Sequence, residues 1–226
     1  MTNPDHLTLP EEVMLLALRE DTGTIEFGAW YQQAVAGAVL AEALLGARLR
    51  LVPDGKHSLV EVVPGDPTGN ELVDEWLERI ASDGKRRKVA HWTGKISGTK
   101  DLKARVAGSL VQRGILRGDH DKVMLLFTRA IYPEVDPQPE RDLRERMHAA
   151  IFGDSSWVEP RTTALVSLAK GTGLLEVAFD KKELRARKSR IESLVEGELA
   201  GKAARELVTA ISIAITTAVI VPIIIT

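Results

Sequence analysis

Apolar residues recur at helical spacing along most of the chain, and this pattern predicts a mainly helical protein. The stretch LPEEVMLLALRE places Val13, Leu16 and Ala17 on one face behind an acidic first turn, which predicts the start of a helix. The stretch YQQAVAGAVLAEALLG is small and apolar up to Glu42 and ends at Gly46. A helix with so little polar surface is expected to be buried on most sides.

Two segments alternate with a period of two and predict β-hairpins, with a helix between them. Residues 47–63 alternate around the turn PDG, a sequence typical of a hairpin. The stretch DPTGNELVDEWLERI follows, and its apolar spacing predicts a surface helix packed by one stripe. Residues 115–127 read as two strands around a polar turn, with a return strand, residues 123–127, that is apolar on both faces. One face can meet the core, and the other needs a cover of protein or lipid.

Composition and connectivity indicate one compact domain. The chain has 226 residues, of which 44% are hydrophobic and 27% charged, as in ordinary globular proteins. The only loops with linker character, SDGKRRK and PEVDPQPE, are short, so we expect residues 1–226 to form a single domain with residues 1–6 disordered. The first residues do not have the pattern of a signal peptide.

The sequence lacks the usual signs of an enzyme or a cofactor site. It contains no cysteine, which excludes disulfides and thiolate chemistry and fits a reducing compartment. It has no Gly-rich phosphate loop, no Gly-x-Ser-x-Gly motif and no cluster of metal ligands, and its histidines are scattered singly. We therefore expect a protein that is not an enzyme and needs no metal or cofactor.

Charge is distributed unevenly along the chain. Residues 1–84 hold fifteen acidic and five basic side chains, whereas residues 85–117 hold ten basic side chains and one acidic. The middle third, at about +9, is therefore expected to contact an anion: a phosphorylated headgroup, an anionic membrane or a nucleic acid.

The basic segment GTKDLKARVAGSLVQRGIL carries the candidate binding residues. An apolar helical stripe runs through it, so Lys100, Lys103 and Arg105 must project elsewhere. Lys100 and Lys103 are three residues apart, one helical turn, and lysines at this spacing can hold one phosphate group together.

A winged helix-turn-helix domain is the alternative reading, with the same three cations as phosphate contacts on nucleic acid. Against it, the preceding segment VAHWTGKISG is interrupted by glycine, so the first helix of such a motif is missing and no nucleic-acid partner is expected. A third reading is an interaction scaffold, since an apolar hairpin at residues 115–127 could bind another chain or form a homo-oligomer.

Several phrases in order resemble the Golgi phosphoprotein 3 family, peripheral membrane proteins that bind phosphatidylinositol 4-phosphate. They are LTLPEEVMLLALRE, GAVLAEALLGARLRL, DPTGNELVDEWLERI, SLVQRGIL followed by VMLLF, and TTALVSLAKGTGLLEVAF. The resemblance implies a single, mainly α domain in which amphipathic helices surround a hydrophobic one, with hairpins at one edge. It also implies reversible attachment to the cytoplasmic face of a membrane.

The resemblance also implies positions for a headgroup site. The family's paired arginines fall on Lys100 and Lys103, and its tryptophan falls on Phe27 or Trp30. The family's lipid-contacting hairpin falls on Val123, Met124 and Leu125.

Two departures from the family pattern bear on specificity and on partners. The family's arginine on the second helix falls on Ala36, so a related anionic headgroup is as plausible as the 4-phosphate. Because LTLPEE begins at Leu7, we expect a compact, bacterial-type member without the coat or glycosyltransferase binding of longer members.

The C-terminal run AISIAITTAVIVPIIIT raises the question of a membrane anchor. The uninterrupted part of the run, residues 207–221, has fifteen residues and ends before Pro222. A helix that spans a membrane needs roughly twenty. A narrow polar stripe also runs along this segment, formed by Arg205, Thr209, Ser212 and Thr216. The sequence therefore predicts a buried C-terminal helix rather than an anchor.

Overall fold

The computed structural model describes residues 6–19, 22–25, 30–55, 57–123 and 127–200, with residues 205, 208, 209 and 211. Its helices are α1 (Leu9–Ala17), α2 (Tyr31–Leu45), α3 (Glu71–Ser82), α4 (Val89–Ser97), α5 (Leu102–Gln112), α6 (Gln138–Phe152), α7 (Pro160–Gly171), α8 (Leu175–Ala178), α9 (Lys181–Ala186) and α10 (Lys188–Val195). The predicted mainly α, single-domain fold is confirmed.

Two small antiparallel sheets accompany the helices. Strands β1 (Leu49–Asp54) and β2 (His57–Val62) form the first predicted hairpin, and β3 (Arg87–Lys88) adds to β2, although its sequence read as a loop. Strands β4 (Asp119–Val123) and β5 (Phe127–Ile131) form the second hairpin.

The predicted boundaries of the second hairpin are wrong. The polar stretch GDHD, read as the turn, enters β4, and Val123 pairs with Phe127 across the end of the two strands instead of sharing a return strand with it. The reason is non-local, because Leu116 of the predicted first strand forms a bridge with Glu134, which lies beyond the predicted return strand. The polar residues of the predicted turn carry no information about that distant contact.

The core is built around α2 and α7. Nearly every residue of α2 from Ala34 to Ala41 is buried, as its composition predicts, and α1 and α7 pack on it. Residues Thr162–Ala169 of α7 are also buried, and its Thr163 and Ser167 hydroxyls donate to carbonyl oxygens four residues earlier. Such local hydrogen bonds let polar side chains lie inside an apolar core at little cost.

A buried charge cluster joins the chain's start to this core. Glu11, Glu12 and Glu42 are its acids, and Arg113, Arg146 and Arg161 are its bases. The sequence places Glu11 and Glu12 at an ordinary helix start, and the structure shows that both side chains are at least 98% buried. The arginines that neutralise them lie about a hundred residues or more away in sequence, so no local pattern predicts the pairs.

The C-terminal apolar run falls mostly outside the described residues. Among the four described positions, Val208 and Ile211 are buried while Arg205 and Thr209 are exposed, in agreement with the predicted polar stripe. Within the described part of the chain, no helix combines the length and the apolar composition that a membrane crossing needs.

Candidate functional site

Lys103 lies in the first turn of α5 and is held against strand β5. Its Nζ is 3.4 Å from the Ala130 carbonyl oxygen and 5.2 Å from the centroid of the Tyr132 ring. A cation over an aromatic face is attracted by the ring quadrupole, most strongly where water is partly excluded. Tyr132 is buried and Lys103 half-buried, so the charge has a defined position at the surface.

Lys100 precedes α5 instead of belonging to it. The helix begins at Leu102, and its N-cap, Asp101, has φ +56° in the left-handed region, so the chain turns sharply between the two lysines. The predicted one-turn helical spacing is therefore wrong, although both lysines remain at the same helix start. Lys100 is exposed in the turn, where its flexible ammonium can follow a ligand.

Two aromatic residues, Trp30 and Tyr31, stand at the start of α2. Burial raises the pKa of the Tyr31 hydroxyl, and nearby Tyr132 raises it further. Tyr31 Oη donates to Met14 Sδ at 3.1 Å, while its neighbour Trp30 is 37% exposed. Trp30 is therefore the exposed aromatic residue at the start of α2. The other candidate, Phe27, lies outside the described residues.

Gly23 sets the position of Tyr132. Its carbonyl accepts from the Tyr132 N–H at 2.9 Å, its φ is +61°, and a Cβ placed there would overlap the backbone of Tyr132 and Pro133. We expect Gly23→Ala to lower the free energy of unfolding by about 2 kcal/mol, since the left-handed backbone and the overlap both act against it. It should also weaken any binding that depends on the Lys103–Tyr132 contact.

A glycine with space around it is the control for that substitution. Gly94, inside α4, has no neighbouring atom within 4 Å of an added Cβ, so Gly94→Ala should be neutral or stabilising by up to about 1 kcal/mol. Urea unfolding of both variants checks the prediction. Equal unfolding midpoints would show that the Gly23 turn does not constrain Tyr132.

Arg105, the third predicted cation, is already engaged by a carboxylate. It lies two residues after Lys103 on α5, so the two side chains point in very different directions. Its Nη2 is 2.5 Å from Glu75 Oε2 on α3. Lys100 and Lys103 therefore flank the N-cap of α5, whereas Arg105 is paired with a carboxylate on α3.

The remaining predicted positions divide between the core and the undescribed residues. Ala36 is completely buried in α2, so this position offers no charge and no space for one. Val123 ends β4, and nothing of its side chain is described, while Met124 and Leu125 lie outside the described residues. Lipid contact and self-association by this hairpin therefore stay predictions.

Helix α4 removes one argument against the nucleic-acid alternative. It forms across Gly94, because Trp92 and Ile96 bury their side chains and tertiary packing outweighs the cost of a single glycine. The alternative gains no support from this, since Arg105, one of its three phosphate contacts, is already paired with the Glu75 carboxylate. Within the described ranges, no group of three or more acidic or histidine side chains could hold a metal ion.

Comparison with known proteins matches one family over most of the chain. The model of the family Golgi phosphoprotein 3 (GPP34) matches residues 9–211. A vacuolar protein sorting-associated protein 74 from Eremothecium gossypii is 27% identical over 207 residues, which cover 77% of this chain and 62% of the relative. A protein of the same name from Schizosaccharomyces pombe is 27% identical over 226 residues, which cover 84% of this chain and 66% of the relative. Both relatives are fungal, so the expectation of a bacterial-type member is not supported.

Proposed function

The chain belongs to the Golgi phosphoprotein 3 family, and on that premise we propose that it is a peripheral membrane protein. In this proposal it binds phosphatidylinositol 4-phosphate or a related anionic phospholipid headgroup at Lys100 and Lys103. It acts by binding and not as an enzyme, on the cytoplasmic side of a membrane. The names of the two relatives refer to vacuolar protein sorting, a membrane process, and this supports the membrane part of the proposal.

The observation that carries the proposal is that two lysines, Lys100 and Lys103, lie at the start of α5, one exposed and one held in place by protein contacts. Lys103 is fixed over the Tyr132 ring, and Lys100 is exposed three residues before it. Two ammonium groups on opposite sides of a sharp turn can approach one phosphate from two directions. Trp30 is exposed at the start of α2, and tryptophan is a residue favoured at the water–lipid boundary.

The expected affinity is that of a reversible peripheral protein. Each basic residue near an anionic surface contributes roughly 1 kcal/mol, so the two lysines supply about 2 kcal/mol. Apolar side chains of the predicted hairpin would add about 3 kcal/mol if two of them entered the lipid. Neither contribution anchors the chain alone, but two weak signals together give stable and reversible attachment.

The chemistry of the site bears on headgroup specificity. Lysine is a point charge without the planar fork with which arginine grips phosphate in two places. Position 36 cannot supply a third cation, because it lies inside the core. We therefore propose a site that recognises phosphate charge more strongly than the position of the phosphate on the inositol ring.

Replacing both lysines tests the site. In vesicle co-sedimentation, Lys100→Ala/Lys103→Ala should bind phosphatidylcholine vesicles containing phosphatidylinositol 4-phosphate about 30-fold less tightly than the unmodified protein. The charge-matched control is Lys85→Ala/Lys88→Ala, two exposed lysines away from this helix start, which should lose only a few-fold. Vesicles with other phosphoinositides or with phosphatidylinositol then rank the headgroups.

The same assay has outcomes that contradict the proposal. Binding that is unchanged in Lys100→Ala/Lys103→Ala would show that the site is elsewhere. Binding to duplex DNA together with no binding to any vesicle would exclude the membrane function in favour of a nucleic-acid partner.

A further inference from the structure

A second basic pocket lies at the opposite end of the sequence from the candidate headgroup site. It has a volume of about 280 Å³ and is lined by residues from α7 to α10. We call it the α9 pocket and define it by four cations at its edge, Lys170, Lys181, Arg185 and Lys188. These come partly from the stretch KKELRARKSR, where residues 181–190 hold six basic side chains and one acidic.

The basic residues of this stretch divide into two groups with different roles. Arg187 donates to the carbonyl oxygens of Ile151, at 3.2 Å, and Phe152, and Arg190 donates to that of Ala150 at 2.7 Å. Both therefore cap the C-terminal end of α6, where unpaired carbonyls favour cations. Of the cations of the α9 pocket, Lys170 and Arg185 lie in the last turns of α7 and α9, where the helix dipole favours positive charge. Lys181 and Lys188 lie at the starts of α9 and α10, so helix ends do not explain their place in the cluster.

The charges around the α9 pocket leave two cations unmatched. Lys170 is 3.4 Å from Glu176, and Lys188 is 3.7 Å from Glu192, both as loose surface pairs. In the part of the chain that the structure describes, Lys181 and Arg185 form no ion pair. Four cations and two carboxylates give the pocket a net charge of +2, which favours an anionic phosphate group.

The floor of the α9 pocket is apolar. Leu175, Leu184 and Ile191 line it, and each is at least 92% buried. The α9 pocket therefore has charged side chains at its edge and apolar side chains at its floor. Its volume is near the lower end of small-molecule sites, roughly 300 Å³, so it can hold a headgroup and the start of a chain but not a large ligand.

The backbone at Trp30 is joined to the end of α7, which contributes Lys170 to the α9 pocket. The Trp30 N–H donates to the Thr172 carbonyl oxygen at 3.1 Å, just after the end of α7. Lys170 of the pocket is two residues earlier, within about 7 Å along the chain. The next residue, Tyr31, lies near Tyr132, whose ring centroid is 5.2 Å from Lys103 Nζ. The start of α2 therefore has the end of α7 as one neighbour and Tyr132 as another.

We propose that the α9 pocket is a second anion site, which binds the phosphate headgroup of an anionic phospholipid in the membrane contacted by Lys100 and Lys103. Arg185 and Lys181 hold the phosphate, and Leu175, Leu184 and Ile191 contact the glycerol and the first acyl carbons. The inference rests on the proposed function for its membrane. Two sites on one rigid domain make the second binding event intramolecular, so moderate affinities combine into firm attachment.

The test compares two double variants that remove the same charge. Lys181→Ala/Arg185→Ala removes the unmatched cations of the α9 pocket. Arg141→Ala/Lys182→Ala removes two exposed cations outside it, one of them adjacent to Lys181 on α9. With vesicles containing phosphatidylinositol 4-phosphate, the pocket variant should bind about 30-fold more weakly and the control only a few-fold more weakly.

A soluble probe separates the two sites and identifies the source of the phosphate. Calorimetric titration with a dibutanoyl phosphatidylinositol 4-phosphate should give two sites in the unmodified protein and one in Lys181→Ala/Arg185→Ala. If only Lys100→Ala/Lys103→Ala impairs vesicle binding, the proposed function stands and the second site is refuted. If inorganic phosphate occupies the pocket while vesicle binding is unchanged in its variant, the occupant is a soluble phosphate and the lipid assignment is refuted.

Discussion

Arg161→Met is expected to lower the free energy of unfolding by about 3–5 kcal/mol, the usual cost of leaving buried charges without their partner. Arg161 is 15% exposed, and its guanidinium binds Glu42 through two nitrogens, at 3.1 and 3.0 Å. It also lies 3.4 Å from Glu12 and donates to the Leu7 carbonyl oxygen. Methionine has a similar length but none of these donors, so two carboxylates lose a counter-charge inside the protein.

The stability lost in Arg161→Met should be larger at higher pH. Burial raises the pKa of the Glu12 carboxyl above its ordinary value, while Arg161 and Arg146 oppose that shift. Removing Arg161 raises this pKa further, so the folded variant holds a proton that the unfolded chain releases. Its stability therefore falls as pH rises above the ordinary carboxyl value, and the deficit should be larger at about pH 7 than at about pH 5.

Urea unfolding at both pH values checks this prediction. The control is Arg141→Met on α6, an exposed arginine that contacts only Gln138 among the described residues and should change stability by less than about 0.5 kcal/mol. A loss below about 1 kcal/mol in Arg161→Met would show that water or other groups replace its charge. The buried cluster would then contribute little to joining the chain's start to the core.

Ala36→Arg, which installs the charge that the family pattern places on α2, is expected to unfold the protein instead of improving its headgroup site. Ala36 is completely buried between α2 and its neighbours, so the guanidinium would have neither space nor a partner. Overpacking and an unpaired buried charge together should cost more than about 4 kcal/mol, enough to abolish most small domains' stability.

Gln32→Arg provides the matched control, since Gln32 is exposed one turn earlier on the same helix. It introduces the same side chain and should change stability by less than about 0.5 kcal/mol. Thermal unfolding and vesicle binding should be measured on both variants. A folded Ala36→Arg protein with tighter phosphoinositide binding would mean that α2 presents this position to the headgroup.

Much of the fold could be predicted because its signals are local. The apolar stripe of α3 and the wholly apolar α2 follow from helical periodicity, and the PDG turn between β1 and β2 follows from the preferences of three residues. The electropositive segment and the candidate lysines are likewise visible in the order of residues. The family match over residues 9–211 confirms the resemblance seen in short phrases.

The second hairpin and helix α4 show where local signals fail. In the hairpin, Leu116 bridges to Glu134 and residues 119–123 pair with residues 127–131, a register that the apolar run alone did not indicate. In α4, buried Trp92 and Ile96 overcame a glycine that weakens an isolated helix. In both cases a distant contact outweighed a local preference worth about 1 kcal/mol or less.

By itself, the sequence determined which segments become helices and where positive charge accumulates, because both depend on neighbouring residues. Only the tertiary structure decided what each charge does. It placed Lys103 over the Tyr132 ring and paired Arg105 with Glu75. It buried Glu12 beside Arg146 and Arg161. It left Lys181 and Arg185 at the edge of the α9 pocket. The physical reason is that a charge acts according to its burial and its partners, and in a folded chain these come from residues far apart in sequence.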